Sequence, residues 1–461
     1  MDVCDSLLDL IGSTPLLRLR RITAGLEPQV LAKLEFMNPG GSVKDRPALS
    51  MIEAAERDGT LRPGATIVEP TSGNTGVGLA LVAQQKGYRC VFTCPDKVSE
   101  EKRSILRALG AEVVVCPATA PPDSPDFYRN VSTRIARERA DAVELNQYAN
   151  PANPAAHYRT TGPEIWEQTE GRITYFVCGV GTGGTISGAG AYLKEVSAGR
   201  VKVIGADPDG SVYSGGGARP WLVEGVGQPF VPVAYDPDVP DWIMAVSDRD
   251  SIAMTRRLAH EEGLLVGGSG GMAVAAAIVL AGDLGPDDIV VTLLPDSGRG
   301  YLSKIFHDPW LARFGLSDGE AADPCVGDAL QPDGQWEELP GVGSAEAISS
   351  AVALMRRLGL PCLPVFDAEP PVRAAEIRGA VEERALAQAL SENRAGPLDP
   401  VASVLSPPLP FVGAGQPLAE AGALLDQASA VLVLDGGIVR GLVTGDDVVS
   451  LLVPAAETLS A

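Results

Sequence analysis

Short apolar runs alternate with helical patterns through the first two-thirds of the chain, the rhythm of strand–helix units in a parallel sheet. Ala65-Thr66-Ile67-Val68-Glu69 reads as a strand, followed by a loop and a helix over about 77–86. Residues 89–93 form the next expected strand, then a helix ending near Gly110 and a strand over 111–115. The rhythm resumes at 175–178 and 201–204 and closes with the buried run Ile289-Val290-Val291-Thr292-Leu293-Leu294. Two α/β lobes with a cleft between them is the expected architecture, occupying residues 1–316.

The pattern changes after Leu316. Small and polar residues over 317–324 suit a linker, and an internal repeat lies beyond it. Arg378-Gly379-Ala380-Val381 matches Arg440-Gly441-Leu442-Val443, and each follows an apolar strand ending in aspartate, at Asp367 and Asp435. Amphipathic helices over about 345–358 and 418–426 precede those strands. Two β-α-β-β-α units, about 325–390 and 400–455, are expected within 325–461, each covering an apolar face the other would expose.

Composition narrows the class. The chain of 461 residues is 45% hydrophobic and 21% charged, enough to bury sizeable cores in more than one domain. The net charge of −22 argues against nucleic acid and anionic membrane as partners. About −14 of it lies from Ser317 onward, where no lysine occurs. No apolar run approaches a membrane span, and Met1-Asp2-Val3-Cys4-Asp5 has no signal-peptide character, so a cytoplasmic protein is expected. Seven scattered cysteines fit reduced thiols, with Cys90 and Cys94 on one strand face as core.

The chemistry concentrates in small-residue loops. Lys44 stands in Ser42-Val43-Lys44-Asp45-Arg46, behind Asn38-Pro39-Gly40-Gly41, at an expected helix start. Thr71-Ser72-Gly73-Asn74-Thr75-Gly76 joins a strand to a helix, and its hydroxyls and unpaired N–H groups suit a carboxylate. Gly179-Val180-Gly181-Thr182-Gly183-Gly184-Thr185 suits a phosphate. With Asp207 at the next strand end it is also a fair dinucleotide fingerprint, so an oxidoreductase competes at this point. Gly267-Gly268-Ser269-Gly270-Gly271 and Pro295-Asp296-Ser297-Gly298-Arg299-Gly300 complete the set. His157, His260 and His307 carry no metal-ligand spacing and read as structural.

Taken together, these motifs resemble the fold-type II pyridoxal-phosphate (PLP) enzymes, in the cysteine synthase and cystathionine β-synthase family, across roughly residues 8–310. The tail resembles a tandem CBS-domain (Bateman) module. The resemblance implies a tryptophan synthase β-like fold with Lys44 as the Schiff-base lysine and Asn74 at the cofactor 3′-oxygen. Gly181, Thr182, Gly183, Gly184 and Thr185 would hold the phosphate, and Ser269 would face the ring nitrogen. Thr71, Ser72, Thr75 and Gln147 would hold the substrate carboxylate, with Tyr148 near the amino acid and Glu224-Gly225 on the thiol side. The combination with the tail implies condensation of L-serine with L-homocysteine, in a homodimer or homotetramer. Cysteine synthesis from serine or O-acetylserine and sulfide is the alternative. Few residues precede Ile11-Gly12-Ser13-Thr14-Pro15-Leu16, so the haem-binding extension of animal relatives is not expected. In the tail, Thr444-Gly445-Asp446-Asp447 matches the CBS-domain nucleotide motif through Thr444 and Asp447. The first repeat has Glu382 and Ala385 at those positions, so at most one well-formed adenosyl site is expected, with S-adenosylmethionine favoured over ATP or AMP.

Overall fold

The computed structural model describes residues 3–71, 73–96, 98, 100–117, 120, 123–317, 321–330 and 339–452. Parts of the expected linker and tail (318–320, 331–338 and 453–461) lie outside the described residues. The chain divides into two compact units, Met1–Leu302 and Ser303–Ala461.

The first unit holds two sheets. A four-stranded parallel sheet runs in the order Glu112–Cys116, Arg89–Pro95, Thr66–Pro70, Ala142–Glu144. A six-stranded sheet runs Leu16–Arg18, Gln29–Leu34, Ile289–Leu294, Tyr175–Gly179, Lys202–Pro208, Trp242–Val246. Its first pair is antiparallel and the rest are parallel. Ile289–Leu294, late in the chain, is inserted between Gln29–Leu34 and Tyr175–Gly179. Remote segments therefore end side by side at the carboxyl edge of one sheet, where ligands bind in open α/β folds.

Helices cover both faces of these sheets, so central strands are apolar along their length rather than alternating. Ile67, Phe92, Phe176 and Val291 are fully buried, each such side chain contributing about 1.5–3 kcal/mol. The helix expected from Val77 begins at Asn74, after the extended Gly73. Gly76 and Gly78 blurred that start in the sequence because their composition suggests a loop. The structure supplies their reason: a Cβ on Gly78 would stand 2.9 Å from the Lys44 carbonyl oxygen. Small residues let the two helices approach there.

In the second unit, Cys362–Val365 pairs antiparallel with Gly379–Glu382, and Val342 bridges Val365 in parallel. Phe411–Gly413, Val431–Asp435 and Ile438–Val443 form the counterpart sheet. Helices Ile348–Leu358, Glu383–Ser391, Leu418–Leu425 and Gly445–Leu452 accompany them. No helix among the described residues is long and apolar enough to cross a membrane.

Candidate active site

Lys44 directly precedes helix Asp45–Arg57. Its loop is fastened to the end of the central strand: Val43 N donates to the Pro295 carbonyl at 2.8 Å, and Ser42 bridges Asp296. The Ser42 hydroxyl accepts from Lys44 N at 3.2 Å. Lys44 is partly exposed at the cleft, yet desolvation lowers the pKa of its amine, partly offset by the negative charge of Asp296.

Behind the lysine lies a buried ion cluster. Arg46 donates from Nε and Nη2 to Glu35 at 2.7 and 2.8 Å, and from Nη1 to Glu164 at 2.6 Å. Lys33, fully buried, donates to Glu164 at 2.7 Å and to the Thr14 carbonyl at 2.6 Å. Burial alone would raise the Glu164 pKa, but Arg46 and Lys33 hold it down at about 2.

The expected carboxylate loop follows strand Thr66–Pro70. Thr75 Oγ1 donates to Gln147 Oε1 at 2.7 Å, and Thr71 Oγ1 accepts a long 3.4 Å bond from Gly73 N. Ser72 lies outside the described residues. Gln147 is held from beneath: its N–H donates to Glu69 Oε1 at 3.0 Å, and Asn146 N donates to Oε2 at 2.9 Å. Glu69 is fully buried, which pushes its pKa up to about 7 against those two bonds.

The glycine loop starts helix Gly184–Val196, with Gly183 at φ +84°. A Cβ on Gly181 would meet the Gly225 carbonyl at 2.7 Å, so the loop leaves no space for side chains on that face. Asn153 Nδ2 donates to Thr182 Oγ1 at 3.1 Å and to the Gln147 carbonyl at 2.8 Å, tying this loop to the carboxylate loop. Thr185 Oγ1 lies 3.3 Å from Nε2 of buried His157. Desolvation, then Arg46 and Lys44, keep that imidazole well below its ordinary pKa and therefore neutral.

Ser269 is the second residue of helix Gly268–Ala281 and is buried. Asn74 Nδ2 and Tyr301 Oη both donate to Asp296 Oδ2 at 2.7 Å. Glu224 is paired with Lys102, whose amine stands 4.8 Å over the Tyr301 ring. The Tyr148 ring packs edge-on against Phe230, with Arg129 5.1 Å from its centroid. Thr444 and Asp447 belong to the second unit, where Asp447 Oδ2 accepts from Thr444 N at 2.7 Å and Oγ1 at 2.6 Å.

A slot lined by Lys44, Gly181, Thr182, Gly183, Thr185 and Gly225 adjoins a cleft of about 680 Å³ lined by Asn74, Lys102, Glu224, Asp296 and Tyr301. An amine of lowered pKa and a side-chain-free glycine cradle at a helix start thus share one slot. That donor set fits an aldehyde bearing a phosphate. Asp207, which a dinucleotide reading would place on a ribose, is instead fully buried and accepts from Ser214 N at 2.8 Å.

Residues 7–296 match the family described as pyridoxal-phosphate dependent enzyme. The chain belongs to this family. The curated relatives of this PLP-dependent enzyme include cystathionine beta-synthases and a cysteine synthase. A cystathionine beta-synthase of Oryctolagus cuniculus is 40% identical over 428 residues, 87% of this chain and 74% of that one. Cysteine synthase 1 of Neurospora crassa is 46% identical over 317 residues, 66% of this chain and 84% of that one. The solved structure of an O-acetylserine dependent cystathionine beta-synthase from Helicobacter pylori superposes with a TM-score of 0.62 at 38% identity, covering 66% of this chain and 99% of that one.

Some residues of this PLP-enzyme site had no role in the sequence reading. Asp296 stood within a quoted motif without a partner. Glu69 carried one usable signal, an acid inside an otherwise apolar buried strand. Asn153 and the Lys33–Glu164 pair carried none, since their contacts join distant segments.

Proposed function

We propose that the chain joins L-serine to L-homocysteine, giving L-cystathionine and water, the reaction of a cystathionine β-synthase. The observation that carries this reading is the extent of similarity: it spans 87% of the chain with the rabbit enzyme, against 66% with the cysteine synthase.

Bound PLP supplies an aldehyde that attaches amino acids covalently and a ring that accepts electron density from their α-carbon. Lys44 is the residue that holds it. Desolvation lowers the pKa of its amine and so favours the neutral form, which would take the Cα proton of bound serine. The same amine would give that proton to the departing hydroxyl, which leaves as water, then take the proton of the incoming homocysteine thiol and return it to Cα once the thiolate has added to the β-carbon. Thr71, Ser72, Thr75 and Gln147 hold the serine carboxylate. Asn74 meets the 3′-oxygen, the 181–185 loop the phosphate, and Ser269 the ring nitrogen. Glu224 and Gly225 border the space for the thiol, and Tyr148 stands near the amino acid.

The tail is read as a sensor. A cavity of about 660 Å³ in the second unit is lined by Arg356, Glu383, Ser429 and Thr444. Lining charges of both signs suit S-adenosylmethionine, whose carboxylate and sulfonium would meet Arg356 and Glu383. Seven unpaired thiols accord with a reducing, cytoplasmic setting, and a homodimer or homotetramer is the expected assembly. Product analysis by mass spectrometry, with L-serine and equal homocysteine and sulfide, tests the reading. Dominant cystathionine supports it, and cysteine alone would favour the cysteine synthase alternative.

A further inference from the structure

Asp296 is 3% exposed, and it touches the lysine loop, the Asn74 helix and the loop before Ser269. It bridges Ser42, and its carbonyl accepts from Gly267 N at 3.2 Å. Its Oδ2 accepts from Asn74 Nδ2 and Tyr301 Oη, each at 2.7 Å. Oδ1 has no hydrogen-bond partner and lies against Gly267, where a Cβ would stand only 2.2 Å away. A buried carboxylate with one bare oxygen is costly, and position 267 is left without a side chain to admit it.

We propose that Asp296 is a positioning residue that fixes the orientation of the Asn74 carboxamide toward the cofactor. A carboxylate only accepts, so the side of Asn74 facing Asp296 must be its NH2. One N–H is thereby committed, and the amide presents a defined donor to the cofactor's 3′-oxygen. An uncharged amide at 296 offers either oxygen or nitrogen and leaves Asn74 free to turn over. The inference rests on the cofactor placement proposed above and names a determinant of it outside the direct contacts.

A double-mutant cycle on the full chain tests it. Apo-protein is titrated with PLP, and both the dissociation constant and the position of the visible band are read. Asp296→Asn is expected to weaken PLP binding about tenfold and to shift the band, as loss of a charge-assisted hydrogen bond requires. In an Asn74→Ala background the same change is expected to cost no more than about twofold, because the path is already cut. Should Asp296→Asn not fold, Tyr301→Phe loosens the same carboxylate, with an expected loss of about threefold that also vanishes without Asn74. Equal losses in both backgrounds, or an unchanged constant and band in the single variant, would overturn the proposal. Wild-type protein that binds no PLP would instead defeat the cofactor placement on which it rests.

Discussion

Thr75, in the first turn of the helix after strand Thr66–Pro70, and Gln147, in the loop after strand Ala142–Glu144, are joined by a 2.7 Å hydrogen bond. The bond uses the Thr75 hydroxyl proton to hold the Gln147 carboxamide by its oxygen, leaving the amide NH2 as the donor that the proposed serine carboxylate would meet. Thr75→Val is therefore expected to raise KM for L-serine about 10–100-fold while leaving the visible spectrum of bound PLP in place. Steady-state kinetics with matched spectra checks both halves.

The ion cluster behind Lys44 makes a stability prediction. Arg46 is 3% exposed and neutralises Glu35 and Glu164 together. Arg46→Ala leaves Glu35 buried and unpaired, and should lower unfolding free energy by about 3–5 kcal/mol in urea denaturation.

Asp45 makes one for pH. Burial pushes its carboxyl from 3.8 up to about 7, against the 2.5 Å bond from Gly40 N. The folded state thus binds a proton more readily than the unfolded chain. The corresponding stability is present below pH 3.8 and is lost as pH rises through about 7. Asp45→Asn should flatten the decline of apo-protein stability between pH 5 and 8, by at most about 3 kcal/mol. Denaturation curves at the two pH values measure it.

What the sequence discloses follows from how each feature is encoded. The glycine and hydroxyl loops are local clusters between apolar runs, and Lys44, Asn74 and the 181–185 loop could be picked out without tertiary information. Gln147 and Tyr148 stand in an ordinary-looking stretch and entered only through family resemblance. Asp296 acts on Asn74 across 222 positions, a relation that neither periodicity nor composition records. Strands Leu16–Arg18, Gln29–Leu34 and Ala142–Glu144 are hard to read because they are short or carry charges. Lys33 interrupts one of them, and its acceptability depends on Glu164, 131 residues away.

For the tail, Asp447 orders Thr444 through two bonds from one carboxylate oxygen. Asp447→Ala should abolish an S-adenosylmethionine-induced rise in melting temperature, read by differential scanning fluorimetry. A rise that survives the substitution would move the adenosyl site elsewhere.

The most direct test of the central claim is borohydride reduction of PLP-loaded protein, followed by peptide mapping. The proposed site predicts a stable pyridoxyl adduct on Lys44, lost in Lys44→Ala together with the visible band. An adduct on Lys33, Lys102 or another lysine, or none on Lys44, would contradict it.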